Sequence, residues 1–150
     1  MLFRSDPLYV TDDVADIVSV AANTADGAFY NNGQSCCSVE RIYVHEKVYD
    51  AYVKAFVAEV KSYKIGSPDT ENVYIGALTR KEQPRFLAAQ VQDAIAKGAT
   101  LLCGGKPIED RCGQTSPRPG RQTGCRSAAP VYLHADGGAG RVWHPCRPRR

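Results

Sequence analysis

Phe29-Tyr30-Asn31-Asn32-Gly33-Gln34-Ser35-Cys36-Cys37 closes a run, 12–30, that reads as one helix. The helix breaks at Asn31-Asn32-Gly33, and two cysteines follow at once. A cysteine at such a break can have its sulfur held near backbone N–H groups, which favours the thiolate and makes it a working nucleophile. Cys36 and Cys37 also read as small buried residues in an ordinary loop, because free cysteine is among the most buried residue types. The stretch alone leaves both readings open.

Upstream, Asp6-Pro7-Leu8-Tyr9-Val10 is a short apolar run rich in strand formers and predicts a strand. Asp12 or Asp13 is the expected cap of the helix behind it, with Val14, Ile17, Val18 and Ala21 on its buried face. Past the cysteines, 40–45 predicts a second strand with Ile42 and Val44 facing one way. His45 invites the role of base for Cys36, yet only nearness in sequence supports that, and a turn beginning there accounts for it. Val48, Tyr49, Tyr52, Val53, Phe56, Val57 and Val60 form the stripe of a second helix, ended by the turn at Lys64-Ile65-Gly66-Ser67-Pro68. A third helix is expected from Thr79, with Glu82 at the capping-box position and Pro84 in the first turn. Leu87, Val91, Ala94 and Ile95 form its inner face, Gly98 stops it, and Thr100-Leu101-Leu102-Cys103 is a third strand. Helices alternating with short strands predict an α/β layer.

The string from Phe29 to Cys36 resembles the cysteine signature of the aldehyde dehydrogenase superfamily, an aromatic followed by a Gly-Gln-x-Cys turn. Arg41-Ile42-Tyr43-Val44-His45, Ile65-Gly66-Ser67-Pro68, Ile75-Gly76-Ala77-Leu78 and Gly98-Ala99-Thr100-Leu101-Leu102-Cys103-Gly104-Gly105 resemble the order found downstream in that family. The likeness covers 6–107. It implies a partial aldehyde dehydrogenase catalytic domain over 1–108.

The resemblance implies that Cys36 attacks an aldehyde carbonyl and that the thiohemiacetal passes hydride to NAD or NADP. The remaining thioester is hydrolysed to a carboxylic acid. Cys36 is the implied catalytic residue, its own N–H helps hold the oxyanion, and Cys37 is packing or a redox liability. Gln34 and Asn31 are expected to hold the loop. Gln83 falls where the family has a glutamine reaching the nicotinamide-side ribose. The implied partners are a small-molecule aldehyde and other dehydrogenase subunits in an oligomer.

Departures from the pattern carry equal weight. The family's Glu-Leu-Gly-Gly-Lys string is replaced by Met1-Leu2-Phe3-Arg4-Ser5, so the place of the base glutamate falls on Met1. No part of the chain resembles the family's dinucleotide-binding domain, and no Glu-x-Phe-Gly-Pro string follows Gly104-Gly105. The expectation is a truncated piece that is inactive as an isolated chain. Rival readings are a non-catalytic fragment that binds a full-length dehydrogenase, a cofactor-free thiol esterase-like module, and the product of a damaged gene.

Composition separates the two ends. Residues 1–108 carry a net charge of −2, whereas 109–150 hold eight Arg, no Lys and three acids. Gly and Pro make eleven of those 42 residues, and Val131, Leu133 and Val142 are their only aliphatic side chains larger than alanine. So little apolar surface cannot offset the entropy of ordering, and an irregular or disordered tail is expected. The abrupt change reads as a shifted reading frame or a misplaced gene end. Cys112, Cys125, His134, His144 and Cys146 lack the paired spacing of zinc ligands, so no metal is expected. The arginines could meet phosphates, but with few aromatic platforms no specific nucleic-acid role is expected. No charged and apolar leader opens the chain and no apolar run is long enough to cross a bilayer, so a cytoplasmic location with free thiols is expected.

Overall fold

The structure, a computed structural model, describes residues 6–66, 70–76, 78, 83–108, 126–127, 131–134 and 141–143. Strand β1 (Asp6–Val10) leads through helix α1 (Ile17–Phe29) and a 3-10 turn (Tyr30–Gly33) to β2 (Val39–Val44). Parallel strands need a crossover, and α1 supplies it: β1 and β2 pair in parallel with Leu8 opposite Ile42 and Val10 opposite Val44. Helices α2 (Glu46–Ser62) and α3 (Gln83–Ala96) and strand β3 (Thr100–Cys103) follow. Four short strands complete the described chain: β4 (Pro107–Ile108), β5 (Arg126–Ser127), β6 (Val131–His134) and β7 (Arg141–Trp143). One sheet runs in the order β1-β2-β7-β6-β3, and β4 pairs with β5 apart from it. Of 109–150 the structure describes only β5, β6 and β7, and the expectation of an irregular tail otherwise concerns residues outside the described set.

The core lies between the sheet and the first two helices. Val10, Ile42 and Val44 meet Ala21, Ala25, Ala28 and Phe29 of α1 and Tyr52 and Phe56 of α2. Alanines at i, i+4 and i+7 leave room for the large aromatic rings of α2. The alternation in β2 appears as expected, with Ile42 and Val44 inward.

Three sequence expectations are corrected. Helix α1 starts at Ile17 rather than 12, because Asp16 and not Asp12 or Asp13 is its cap, accepting hydrogen bonds from the backbone N–H of Val18 (3.0 Å) and Ser19 (3.1 Å). Asp12 instead pairs with Lys47 at 2.8 Å. With that later start the inner stripe shifts, and Val18 is 64% exposed. On α3, Leu87 and Val91 are buried but Ile95 is 39% exposed. The expected start at Thr79 and the capping role of Glu82 lie outside the described residues. Gly98 has φ 92°, a left-handed conformation that ends α3 at little cost for glycine alone.

Candidate active site

Phe29 anchors the end of α1. Its ring is 1% exposed and lies 6.2 Å from both Phe56 and Tyr63, edge-on to the latter. The chain then turns sharply: Asn31, Asn32 and Gly33 take φ of 50°, 59° and 69° in succession. Asparagine is among the few residues that enter this region routinely, yet each non-glycine residue there stores roughly 1–3 kcal/mol and needs surroundings that hold it. Gln34 provides part of that hold. Its backbone N–H (3.0 Å) and its side-chain amide (3.2 Å) both donate to the Asn31 carbonyl.

Cys36 and Cys37 occupy the next turn, closed by the Ser38 N–H donating to the Ser35 carbonyl at 3.4 Å. Both thiols are free and exposed, so the reading of two buried cysteines does not hold. The Ser35 hydroxyl lies 3.2 Å from the Cys37 sulfur, which gives Cys37 a local partner within the turn. Ser38 is buried and starts the chain into β2. The turn thus holds Cys36 outside the core while its two flanks, Phe29 and Ser38, are fixed within it.

Two side chains singled out in the sequence stand elsewhere. His45 is the N-cap of α2: its Nδ1 accepts the Lys47 N–H at 3.3 Å, and its Nε2 is 3.9 Å from the Asp12 carboxylate. Those contacts explain the residue without a role beside Cys36. The Lys47 ammonium, by hydrogen bond and by charge, together with His45, holds the Asp12 carboxyl below its ordinary value. Gln83 is the half-buried first residue of α3, and no described hydrogen bond joins it to the cysteine turn.

Sequence reasoning missed the segment that backs the turn. The Asn32 carboxamide oxygen accepts the Gly76 N–H at 3.1 Å across 44 residues. Tyr74 donates its hydroxyl to Asp26 of α1 and stacks on Tyr63, with ring centroids 4.2 Å apart. Nothing within the local pattern of 70–76 announces these contacts. The only available signal was the demand of two successive asparagines for a partner.

A cavity of about 170 Å³ lies behind Phe29, lined by Val60, Tyr63, Ile65, Ile75 and Cys103. Small-molecule sites usually hold roughly 300–1,000 Å³. This cavity, which Lys61 and Gly104 also line, is below that size. Among the described residues no three His, Cys, Asp or Glu side chains are grouped as metal ligands, and no helix is long and apolar enough to cross a membrane.

Comparison with known proteins gives a consistent result. The sequence profile of the aldehyde dehydrogenase family matches residues 5–117. A succinate-semialdehyde dehydrogenase [NADP(+)] of Mycolicibacterium paratuberculosis is 40% identical over 105 residues, which is 70% of this chain and 22% of that protein. The crystal structure of aldehyde dehydrogenase 21 from Physcomitrella patens, in complex with the reaction product succinate, superposes with a TM-score of 0.69 at 32% identity. That match covers 85% of this chain and 24% of that protein. Succinate-semialdehyde dehydrogenase from Burkholderia pseudomallei gives a TM-score of 0.65 at 33% identity, over 72% of this chain and 22% of its own. The chain therefore spans about a fifth of the length of the curated relatives it matches.

Proposed function

The chain belongs to the aldehyde dehydrogenase family, and from that premise we propose that it carries the nucleophile of an aldehyde-oxidising oxidoreductase, the Cys36 thiolate. The observation that supports this most is the exposed thiol at the outer end of a turn whose flanks are buried. Sulfur suits the task because it adds readily to a carbonyl and leaves readily from a thioester. On attack an S–C bond forms to the aldehyde carbon, and the carbonyl π pair moves to oxygen. The Cys36 backbone N–H is the proposed donor to that oxyanion.

NAD or NADP, the cofactor of this family, accepts the hydride when bound. Apart from Gln83, the described residues are proposed not to hold it. Gln83 is proposed to reach the nicotinamide-side ribose in the assembled enzyme. Cleavage of the Cys36 thioester by water then releases the carboxylic acid. The names of the relatives make a four-carbon semialdehyde the first substrate to try. The 150 residues assayed alone are proposed not to oxidise it, and the compositional break near 108 is the proposed edge of the catalytic segment. Three free cysteines among the described residues suit a reducing compartment such as the cytoplasm.

An activated ester tests the nucleophile without any cofactor. Treatment with p-nitrophenyl acetate is expected to leave one acetyl group on Cys36, lost in Cys36→Ala and retained in Cys37→Ala, with no continued turnover. Sustained hydrolysis abolished by Cys36→Ser would favour the thiol esterase reading instead. A folded chain that leaves Cys36 unacylated would overturn the assignment.

A further inference from the structure

A turn built from consecutive left-handed residues has an extended alternative open to it, so something outside the turn must hold it closed. The segment that follows α2 is placed to do this, with Ile75 joined to Ile65 by a parallel bridge. The Lys64 carbonyl accepts the N–H of Tyr74 (2.9 Å) and of Ile75 (3.1 Å), and the Gly66 N–H donates to the Ile75 carbonyl at 3.0 Å. These bonds fix 73–76 against 64–66. Tyr74 fastens the segment to α1 through Asp26 and to the core through its stack on Tyr63. Ile75 is buried in the core cluster beside Phe29. From this anchored base, Gly76 points its N–H at Asn32, four residues before Cys36, and the Asn32 carboxamide oxygen accepts it at 3.1 Å.

We propose that Asn32 is a positioning residue for Cys36, and that segment 73–76 is a strap that holds the cysteine turn in its reactive geometry through the Gly76 N–H. Asn32 does two separable things: it tolerates φ 59°, and it offers an acceptor to the strap. Glycine tolerates that φ even better but has no acceptor. Aspartate keeps the acceptor on a side chain that also enters the left-handed region. The two substitutions therefore divide conformational tolerance from the contact itself. This proposal rests on Cys36 being the nucleophile, and the experiment is arranged so that the two can fail separately.

The test follows, in the full 150-residue chain, the rates at which iodoacetamide alkylates Cys36 and Cys37, with amide exchange at Gly76 read in the same samples. Asn32→Gly is expected to expose the Gly76 amide to exchange and to slow alkylation of Cys36 about tenfold relative to Cys37, the scale of a modest misplacement of a reacting group. Asn32→Asp is expected to restore both readings. A purely structural contact would change Gly76 exchange and leave the Cys36 to Cys37 ratio at its original value, and that result overturns the proposal. So does loss of the ratio in both variants, because the acceptor would then not be what matters. If the unsubstituted chain already labels Cys36 no faster than Cys37, the nucleophile assignment itself fails and the proposal falls with it.

Discussion

The ring of Tyr74 lies flat on that of Tyr63, planes 23° apart and centroids at 4.2 Å, so that the loop after α2 and the end of α2 share one aromatic stack. Both hydroxyls sit where burial and carboxylates resist ionisation. Burial, reinforced by the nearby Glu59 and Asp26 carboxylates, pushes the Tyr63 hydroxyl up from 10.0 to about 12. Burial and the hydrogen bond to Asp26 push Tyr74 up as well, and burial does the same to Tyr52 in the core.

A pH dependence of stability follows from these shifts. Between the unfolded value of 10.0 and the folded value near 12 the folded chain binds more protons than the unfolded one, so stability falls as pH rises through that window. Below the unfolded value the contribution is complete and flat. Urea midpoints are expected to be independent of these tyrosines up to about pH 10 and to drop steadily above it. Phenolate absorbance from Tyr49, Tyr52, Tyr63 and Tyr74 is expected to appear only above the free-tyrosine range. Titration of Tyr63 near the free-tyrosine value in the folded chain would contradict that burial.

Gly66 is required by close approach. A Cβ built there would meet Val73 Cγ2 at 2.5 Å, and the β-branched valine has little rotamer freedom with which to give way. Gly66→Ala is expected to destabilise the chain by about 1–3 kcal/mol, the usual cost of overpacking. The double variant with Val73→Ala is expected to recover most of the loss, because the two sites interact directly. Equal destabilisation with and without the valine would place the effect elsewhere.

Asp16 is the acceptor for the opening turn of α1. The Ser19 hydroxyl at 2.6 Å, the Ser19 N–H and the Val18 N–H hold its carboxyl below the ordinary 3.8. A lowered carboxyl pKa adds stability that is present above the unfolded value and is lost as pH falls through the folded one. Asp16→Ala is expected to lower the thermal midpoint at neutral pH and to weaken the acid dependence, whereas Asp16→Asn, which keeps an acceptor, is expected to keep most of the midpoint. An unchanged midpoint in the alanine variant would show that α1 does not depend on this cap.

The sequence made the order of elements readable because periodicity is strong where burial is strong: Tyr52 and Phe56 on α2 and Ile42 and Val44 on β2 lie where their spacing puts them. The start of α1 is not legible because Asp12, Asp13 and Asp16 are equivalent as caps in sequence, and contacts separate them: Asp12 pairs with Lys47, 35 residues on, and Asp13 accepts the Thr11 hydroxyl. Val18 and Ile95 were misplaced for a related reason, since an apolar residue beside a stripe can face solvent at modest cost. For the site, the Gly-Gln-x-Cys pattern pointed to Cys36 and to the helix break before it. The partner of Asn32 was not legible, because a backbone N–H at Gly76 carries no side-chain signal and lies 44 residues away.

If Cys36 is the nucleophile, its thiol is the one that selective alkylation finds first. A limiting amount of iodoacetamide is added to the folded chain, and the adducts are mapped by mass spectrometry across its six cysteines. Cys36 is expected to take the label first, ahead of its exposed neighbour Cys37 and ahead of the half-buried Cys103. Label spread evenly over the thiols, or absent from Cys36 while the fold is intact, would contradict it.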